Sequence, residues 1–188
     1  MIEKLNINKV AVLGTGIMGA QIAAHLTNAN IEVLAYDINQ DLAQNGIEAS
    51  KNLKPSAFYN PKNISMITPL NYDEHLDRLS ECDWIIEVIA EKLDLKRSLY
   101  KKIKNHINDN SIITSNTSGI LASELIELMD VSMANRFFIT HFFNPPRYMK
   151  LVEIIPSTKT NKSLMLPMAN FLEEKLGKGV EFAKDTPN

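Results

Sequence analysis

Cysteine is almost absent from the sequence, with Cys82 alone among 188 residues. No disulfide can therefore form within the chain, and a reducing compartment is expected. The sequence also lacks an apolar run of roughly 20 residues, which is the length needed to cross a bilayer. The first residues, Met1 to Asn6, lack the basic start and apolar core of a secretion signal. These absences together predict a cytoplasmic protein.

An excess of charge of one sign is missing as well, since the formal net charge is −2 at pH 7. Such a chain has no broad electrostatic attraction to nucleic acid or to an anionic membrane. One basic cluster, between Lys96 and Lys104, is interleaved with apolar residues at four-residue spacing, which is typical of a helix with a solvated basic face. No nucleic-acid partner, membrane span or metal site is predicted.

Glycine is scarce, yet three of the seven glycines fall between Gly14 and Gly19, directly after the apolar run Val10 to Leu13. A dinucleotide-binding turn needs a buried strand, a tight turn, a residue without a β-carbon beside the pyrophosphate, and close packing of the next helix. Backbone N–H groups and the helix dipole then attract the phosphates. The predicted cofactor contacts in this turn are Gly14, Gly16, Ile17, Met18 and Gly19.

Asp37 ends a second apolar run, Ile31 to Tyr36, eighteen residues beyond Gly19. A carboxylate at this strand tip can accept hydrogen bonds from the adenosine ribose hydroxyls, and it would repel a 2′-phosphate. NAD is therefore predicted in preference to NADP, with FAD as an alternative ligand. The alternative without a cofactor is a glycine turn in an ordinary α/β protein, in which Asp37 caps a helix.

Strands and helices alternate along the chain, which predicts a Rossmann-type doubly wound α/β sheet, mostly parallel, with helices on both faces. Beyond the first two strands, further strands are predicted at 64–67, 84–88 and 112–115. Helices are predicted at 41–53, 73–80 and 94–107.

The pattern changes near the carboxyl end, where strands are predicted at 136–143 and 150–155 with only a short proline-containing bend between them. A parallel crossover needs about a dozen residues or more, so this pair is predicted to be antiparallel. A helix at 160–176, a C-cap at Gly177 and a last strand at 180–183 complete the prediction.

His141 and Glu153 lie on the two strands of this antiparallel pair. A hydride-accepting cofactor requires a protein base to remove the alcohol proton, and histidine is the usual base. A carboxylate partner would hold one ring nitrogen in its N–H form and stabilise the imidazolium. The alternative is a histidine buried in the core. The other histidines are expected to have structural roles only: His25, His75 and His106.

Two polar segments follow predicted strands at the edge of the sheet where ligands of open α/β folds bind. Ser118 lies in the segment Ser115 to Gly119, and Glu91 lies in the segment Glu87 to Glu91. The structural alternatives are a helix N-cap for Ser118 and a first-turn helix carboxylate for Glu91.

These segments together resemble the amino-terminal, NAD-binding half of L-3-hydroxyacyl-CoA dehydrogenases of fatty-acid β-oxidation, over essentially the whole chain. The most specific pieces of the resemblance are the turn Gly14 to Gly19 with Met18, the acidic stretch from Glu87 to Lys96, the segment Ser115 to Ser118, and the segment His141 to Glu153.

The resemblance implies a role for each matching residue. His141 matches the catalytic base and Glu153 its carboxylate partner, while Ser118 matches a serine that contacts substrate and cofactor. Asn144 and Glu91 match contacts on the nicotinamide side of NAD.

For coenzyme A, the resemblance implies contacts by Lys96, which also reaches NAD, by Ser118 and by Ser50. The chain departs from the family at Ala57, where a second lysine for coenzyme A is common.

The implied organisation is an NAD-binding domain at 1–184 and, at 185–188, the start of a linker to a helical domain that completes the active site. The implied reaction is oxidation of (S)-3-hydroxyacyl-CoA to 3-oxoacyl-CoA, with little turnover by this chain alone. A homodimer formed through the second domain and a fused or associated enoyl-CoA hydratase are the implied partners. The alternatives are another NAD-dependent β-hydroxyacid dehydrogenase, with a lysine base in a later domain, and a non-enzymatic NAD-binding protein.

Overall fold

A computed structural model describes residues 4–186 of the chain. Within this range eight strands form one sheet in the order β3-β2-β1-β4-β5-β6-β7-β8. The strands are β1 Lys9–Leu13, β2 Glu32–Asp37, β3 Ile67–Asn71, β4 Trp84–Glu87, β5 Ile112–Ser115, β6 Phe137–Phe142, β7 Leu151–Pro156 and β8 Gly179–Phe182. Neighbouring strands are parallel except for the antiparallel pair β6 and β7, so the predicted doubly wound α/β sheet is confirmed.

Helices cover both faces of this sheet. The α-helices are α1 Ile17–Asn28, α2 Gln40–Ser50, α3 Leu93–Ile103, α4 Ala122–Leu125, α5 Val131–Asn135 and α6 Met165–Leu176. Short 3₁₀ helices lie at Pro61–Met66, Leu76–Glu81, Ile126–Leu128 and Lys162–Leu164.

The central strand β1 explains why the sheet is covered on both faces. Val10 and Val12 belong to the apolar core on one face, and Ala11 and Leu13 belong to the core on the other. All four side chains are fully buried. A strand that is buried on both faces must be apolar throughout, which is the pattern that predicted a parallel sheet here.

Several predicted elements have different bounds in the structure. The helices predicted at 41–53 and 94–107 end earlier, at Ser50 and Ile103. Strand β3 begins at Ile67 rather than residue 64, because Asn60 caps a 3₁₀ helix that starts at Pro61 and continues to Met66. The predicted helix at 73–80 is a 3₁₀ helix, Leu76–Glu81. The helix predicted from residue 160 becomes α-helical only at Met165.

The chain after β8 remains attached to the domain. The Asp185 carboxylate accepts hydrogen bonds from the N–H groups of Ala122 (2.7 Å) and Ser123 (2.9 Å), which are the first N–H groups of α4. The expected linker at 185–188 stays a prediction: Asp185 is fixed to α4, and residues 187 and 188 lie outside the described residues.

Candidate functional site

The glycine turn between β1 and α1 has the geometry that its sequence predicted. Gly14 has a φ of 108°, and a β-carbon there would lie 2.7 Å from the carbonyl oxygen of Val88. A β-carbon on Gly19 would lie 1.8 Å from the carbonyl oxygen of Gly14. Both positions therefore require glycine, the first for its backbone conformation and the second for the close packing of α1 against the turn.

Gly16 differs from these two glycines, because a β-carbon there would meet nothing within 4 Å. It lies at the amino end of α1, which has no side-chain cap and no acidic residue in its first turn. Ile17 is 73 % exposed beside it. An open space in front of uncapped helix N–H groups fits the pyrophosphate of a dinucleotide.

Asp37 is fixed beside the glycine turn. Its Oδ2 accepts hydrogen bonds from the Thr15 N–H (2.8 Å) and hydroxyl (2.6 Å), and its Oδ1 accepts one from the Ile38 N–H (2.8 Å). A carboxylate has about four acceptor positions, so about one remains for a ribose hydroxyl. The alternative role of Asp37 as a helix N-cap is wrong, since Asn39 caps α2 by accepting from the Leu42 N–H.

His141, Glu153 and Ser118 form one hydrogen-bonded group. His141 Nδ1 lies 2.9 Å from Glu153 Oε2, and His141 Nε2 lies 3.1 Å from Ser118 Oγ. Because an ionised carboxylate only accepts, Nδ1 donates to Glu153 and Nε2 is left with a lone pair. The His141 and Glu153 side chains are 17 % and 31 % exposed, so the group is open to a ligand. The expected contact between the imidazole and the carboxylate is therefore present.

Glu91 holds the turn that carries Ser118. Its Oε1 accepts hydrogen bonds from the Thr117 hydroxyl, the Ser118 N–H (3.0 Å) and the Gly119 N–H (3.1 Å). Burial acts to raise the pKa of Glu91, but the Thr117 hydrogen bond and the charge of Lys96 outweigh it, and the pKa lies below its ordinary value.

Neither structural alternative for Glu91 and Ser118 is present. Glu91 precedes α3, whose N-cap is Lys92. Helix α4 has Leu121 at its N-cap position, so Ser118 does not cap it.

Lys96 is buried, whereas Lys101, Lys102 and Lys104 of the same basic cluster are exposed. The Lys96 side chain is 1 % exposed, and its Nζ lies 2.7 Å from Glu87 Oε1 and 3.2 Å from Glu91 Oε2. The amine is thus held between two carboxylates beneath the Ser118 turn. Its contacts with NAD and coenzyme A stay predictions.

Sequence reasoning assigned no role to Glu87, which is fully buried at the end of β4. Its oxygens accept hydrogen bonds from four donors: Ile89 N–H (2.8 Å), Lys96 Nζ (2.7 Å), Tyr100 OH (3.0 Å) and Ser115 Oγ (2.5 Å). The available signal was an acid that ends the apolar run of a buried strand, a position that requires a partner.

Asn144 joins the bend after β6 to the first helix. Its Oδ1 accepts a hydrogen bond from Gln21 Nε2 at 3.0 Å, and the same amide nitrogen donates to the carbonyl of Ile17. Asn144 thus lies beside the amino end of α1, where the cofactor turn begins. Gln21, only 6 % exposed on a mostly apolar helix, was not predicted from the sequence to lie here.

Ser50 is not brought to this group. It is 1 % exposed, and its hydroxyl donates to the carbonyl of Ile47 at 2.6 Å. A contact of this hydroxyl with coenzyme A would require a change at the end of α2, and the expected contact stays a prediction. Ala57, the position of the departure from the family, is buried in the core.

Among residues 4–186, no cluster of three His, Cys, Asp or Glu side chains could hold a metal ion. In the same part of the chain, none of the helices has the length and apolar character needed to cross a bilayer.

Comparison with known proteins matches the chain to dehydrogenases. Residues 9–186 match the family model described as 3-hydroxyacyl-CoA dehydrogenase, NAD binding domain. A probable 3-hydroxyacyl-CoA dehydrogenase of Bacillus subtilis is 41 % identical over 204 residues, covering 97 % of this chain and 26 % of that protein. One of Deinococcus radiodurans is 40 % identical over 190 residues, covering 97 % of this chain and 55 % of that protein. The chain thus spans between a quarter and about half the length of these relatives.

A solved structure has the same architecture. The 3-hydroxybutyryl-CoA dehydrogenase of Escherichia coli superimposes with a TM-score of 0.85 at 27 % identity, covering 97 % of this chain and 39 % of that one.

A putative fatty acid oxidation complex trifunctional enzyme of Rickettsia felis is 38 % identical over 188 residues, covering 96 % of this chain and 26 % of that protein.

Proposed function

The chain belongs to the family of 3-hydroxyacyl-CoA dehydrogenases, as their NAD-binding domain, and we propose that the protein oxidises (S)-3-hydroxyacyl-CoA to 3-oxoacyl-CoA in fatty-acid β-oxidation. The observation that carries this proposal is the hydrogen-bonded group of Ser118, His141 and Glu153, in which His141 Nε2 keeps a lone pair beside the Ser118 hydroxyl.

In the proposed reaction, His141 Nε2 removes the proton of the substrate 3-hydroxyl. Glu153 fixes the ring through Nδ1 and stabilises the positive charge that the imidazole gains. A positioned base of this kind contributes about 10²- to 10⁴-fold to the rate. In the reverse direction the same nitrogen returns the proton to the oxygen.

Ser118 is proposed to orient the 3-oxygen. Its hydroxyl lies 3.1 Å from Nε2, so an oxygen that is hydrogen-bonded to Nε2 is also within reach of the serine. The Glu91 carboxylate fixes the backbone of Ser118 and keeps this arrangement in place.

NAD, when bound, supplies the acceptor for the hydride that leaves C3 of the substrate. The residues proposed to hold it are Gly14, Gly16, Ile17, Met18 and Gly19 at the pyrophosphate, Asp37 at the adenosine ribose, and Glu91 and Asn144 on the nicotinamide side. The open space at Gly16 and the uncapped end of α1 support this assignment.

We extend the proposal to partners and location. The family resemblance supports contacts of Ser50, Lys96 and Ser118 with coenzyme A, a homodimer formed through a second domain, and a fused or associated enoyl-CoA hydratase. The single cysteine and the sequence features described above support a cytoplasmic location. Relatives named as components of multifunctional fatty acid oxidation enzymes support the association with other domains.

The test combines binding and turnover. Calorimetric titration of the 188-residue chain is expected to show NAD bound more tightly than NADP. The full-length gene product is expected to form NADH from (S)-3-hydroxyacyl-CoA, with His141→Ala lowering kcat by about 10²- to 10⁴-fold. His106→Ala, which removes a ring outside the site, serves as the matched control.

Two outcomes would contradict the proposal. Near-normal turnover by His141→Ala would favour a β-hydroxyacid dehydrogenase with its base elsewhere. NAD binding without oxidation of any 3-hydroxyacyl-CoA would favour a non-enzymatic protein.

A further inference from the structure

We propose that Glu87 is a positioning residue for this reaction: through Lys96 and Glu91 it holds the 117–119 turn in the position that presents Ser118 to His141. The catalytic consequence rests on the proposed function, but the position of the 117–119 turn can be tested without measuring turnover.

The Glu87 carboxylate already accepts as many hydrogen bonds as it can. It is fully buried, and each of its two oxygens accepts two hydrogen bonds, from Ile89 N–H and Lys96 Nζ on one and from Tyr100 OH and Ser115 Oγ on the other. With about four acceptor positions on a carboxylate, none is left over for substrate or water. Glu87 can therefore act only through the groups that it holds.

The first of those groups is Lys96. Its amine is 1 % exposed and bridges Glu87 (2.7 Å) and Glu91 (3.2 Å). A buried ammonium must be paired, because removing it from water is costly. Lys96 consequently fixes the distance between the two carboxylates.

Glu91 transmits this restraint to the turn. Its second oxygen accepts from Thr117 Oγ1 and from the N–H groups of Ser118 and Gly119. The Ser118 hydroxyl then lies 3.1 Å from His141 Nε2. The path from Glu87 to the proposed base thus consists entirely of hydrogen bonds and ion pairs.

A second path reaches the same turn through β5. Ser115 Oγ donates to Glu87 at 2.5 Å and accepts from the Thr117 N–H at 3.2 Å. Because both paths begin at Glu87 and end at Thr117, loss of the Glu87 charge would release the turn on both sides. A misplacement of about 1 Å in a catalytic group can cost about 10²-fold in rate, so the restraint has a functional consequence.

The first experiment measures the geometry in the 188-residue chain by nitrogen NMR of the His141 ring. Ser118→Ala defines the Nε2 resonance of a ring without the serine hydrogen bond. Glu87→Gln is expected to move the resonance toward that position. Lys102 lies on the same helix as Lys96 and forms an exposed ion pair with Asp73. Lys102→Met is therefore the matched control and is expected to leave the resonance unchanged.

A double variant separates positioning from stability. Glu87→Gln alone leaves the Lys96 charge without its buried partner, whereas Glu87→Gln with Lys96→Met removes both charges. The double variant is expected to recover thermal stability while its His141 resonance stays displaced, because Glu91 has lost Lys96. If Glu87→Gln does not fold, the double variant decides. A wild-type resonance in a folded single or double variant would overturn the proposal.

The second experiment is kinetic and uses the full-length gene product. Glu87→Gln is expected to lower kcat by about 10²-fold, whereas the control Lys102→Met is expected to leave kcat unchanged. In a Ser118→Ala background Glu87→Gln is expected to have little further effect, since the two residues act in one chain of contacts. Equal losses in both backgrounds would overturn the proposal. If the NMR displacement is observed but no variant or wild-type protein turns over, the positioning stands and only the proposed function fails.

Discussion

His141 and Glu153 are direct cross-strand neighbours, and their side chains meet at 2.9 Å between Nδ1 and Oε2. The chain reverses between β6 and β7, so that a separation of twelve residues in sequence becomes one rung of an antiparallel ladder. The Glu153 carboxylate occupies Nδ1, so Nε2 is the ring nitrogen that we propose as the base. This relationship gives the first prediction.

Glu153→Gln is expected to lower kcat of the full-length gene product by about 10²- to 10⁴-fold, because an amide cannot stabilise the imidazolium as a carboxylate does. The measurement is steady-state NADH formation. Glu181, which lies beside Glu153 in the register of β7 and β8 and is exposed, provides the matched control. A loss of similar size in Glu181→Gln would show that general negative charge, and not the contact with His141, matters.

Gly16→Ala is expected to lower NAD affinity alone, whereas Gly19→Ala is expected to lower thermal stability as well. A β-carbon at Gly16 meets no protein atom, so this variant should keep the wild-type melting temperature while losing NAD affinity. A β-carbon at Gly19 would strike the Gly14 carbonyl oxygen at 1.8 Å, so this variant should lose stability as well.

Thermal unfolding and calorimetric NAD titration of the 188-residue chain test both glycines. Gly179→Ala, which also fills open space but lies in β8, is the control and should change neither quantity. Wild-type NAD affinity in Gly16→Ala would contradict the placement of the pyrophosphate.

Asp37→Asn is expected to weaken NAD binding by about 10- to 100-fold, the range for loss of a charge-assisted hydrogen bond, and to reduce the preference for NAD over NADP. The dissociation constants of both nucleotides, measured by titration of the same preparation, provide the test. Asp41→Asn, at an exposed acid in the first turn of α2, is the control. An unchanged ratio of the two constants would place the ribose elsewhere.

Protonation of the buried His25 ring is expected to lower the free energy of unfolding in acid. The ring is 4 % exposed, its Nε2 lies 3.2 Å from the Leu176 carbonyl oxygen, and Nδ1 is buried without a hydrogen-bond partner among the described residues. Burial, with the nearby charge of Lys178, lowers the pKa of His25 from 6.5 to about 4. The unfolded chain therefore binds more protons than the folded chain between these two values, and the free energy of unfolding falls as the pH is lowered through this window.

Denaturant titrations across that pH window check the prediction. The difference in unfolding free energy between the wild type and His25→Asn should change with pH in favour of the variant as the solution becomes more acidic. A pH-independent difference for His25→Asn would contradict the lowered pKa.

The features predicted correctly from the sequence are those that depend on neighbouring residues. The apolar run of β1, the glycines after it and the short connection between β6 and β7 each constrain the local backbone, and together they placed His141 opposite Glu153. The predicted start of β3 was wrong because Asn60 and Pro61 initiate a 3₁₀ helix, and the apolar residues of this helix have the pattern of a strand.

The pairing partners of the buried charged groups could not be predicted from local sequence patterns. The basic pattern around Lys96 was correctly taken as a helix, but its pairing with Glu87 depends on how α3 packs over the end of β4. Likewise, the capping of α4 by Asp185 joins residues more than sixty positions apart, which no local pattern encodes.

Side-chain period and glycine geometry act over a few residues, so the alternation of strands and helices, the glycine turn and the pairing of His141 with Glu153 could be predicted from the sequence. The assembled fold sets which charged groups lie inside, directs the Ser50 hydroxyl to its own helix, and brings Glu87 to the residues that hold the Ser118 turn. The physical reason is desolvation: a buried charge or hydroxyl takes whichever partner the assembled fold brings within hydrogen-bond distance, and that partner is usually distant in sequence.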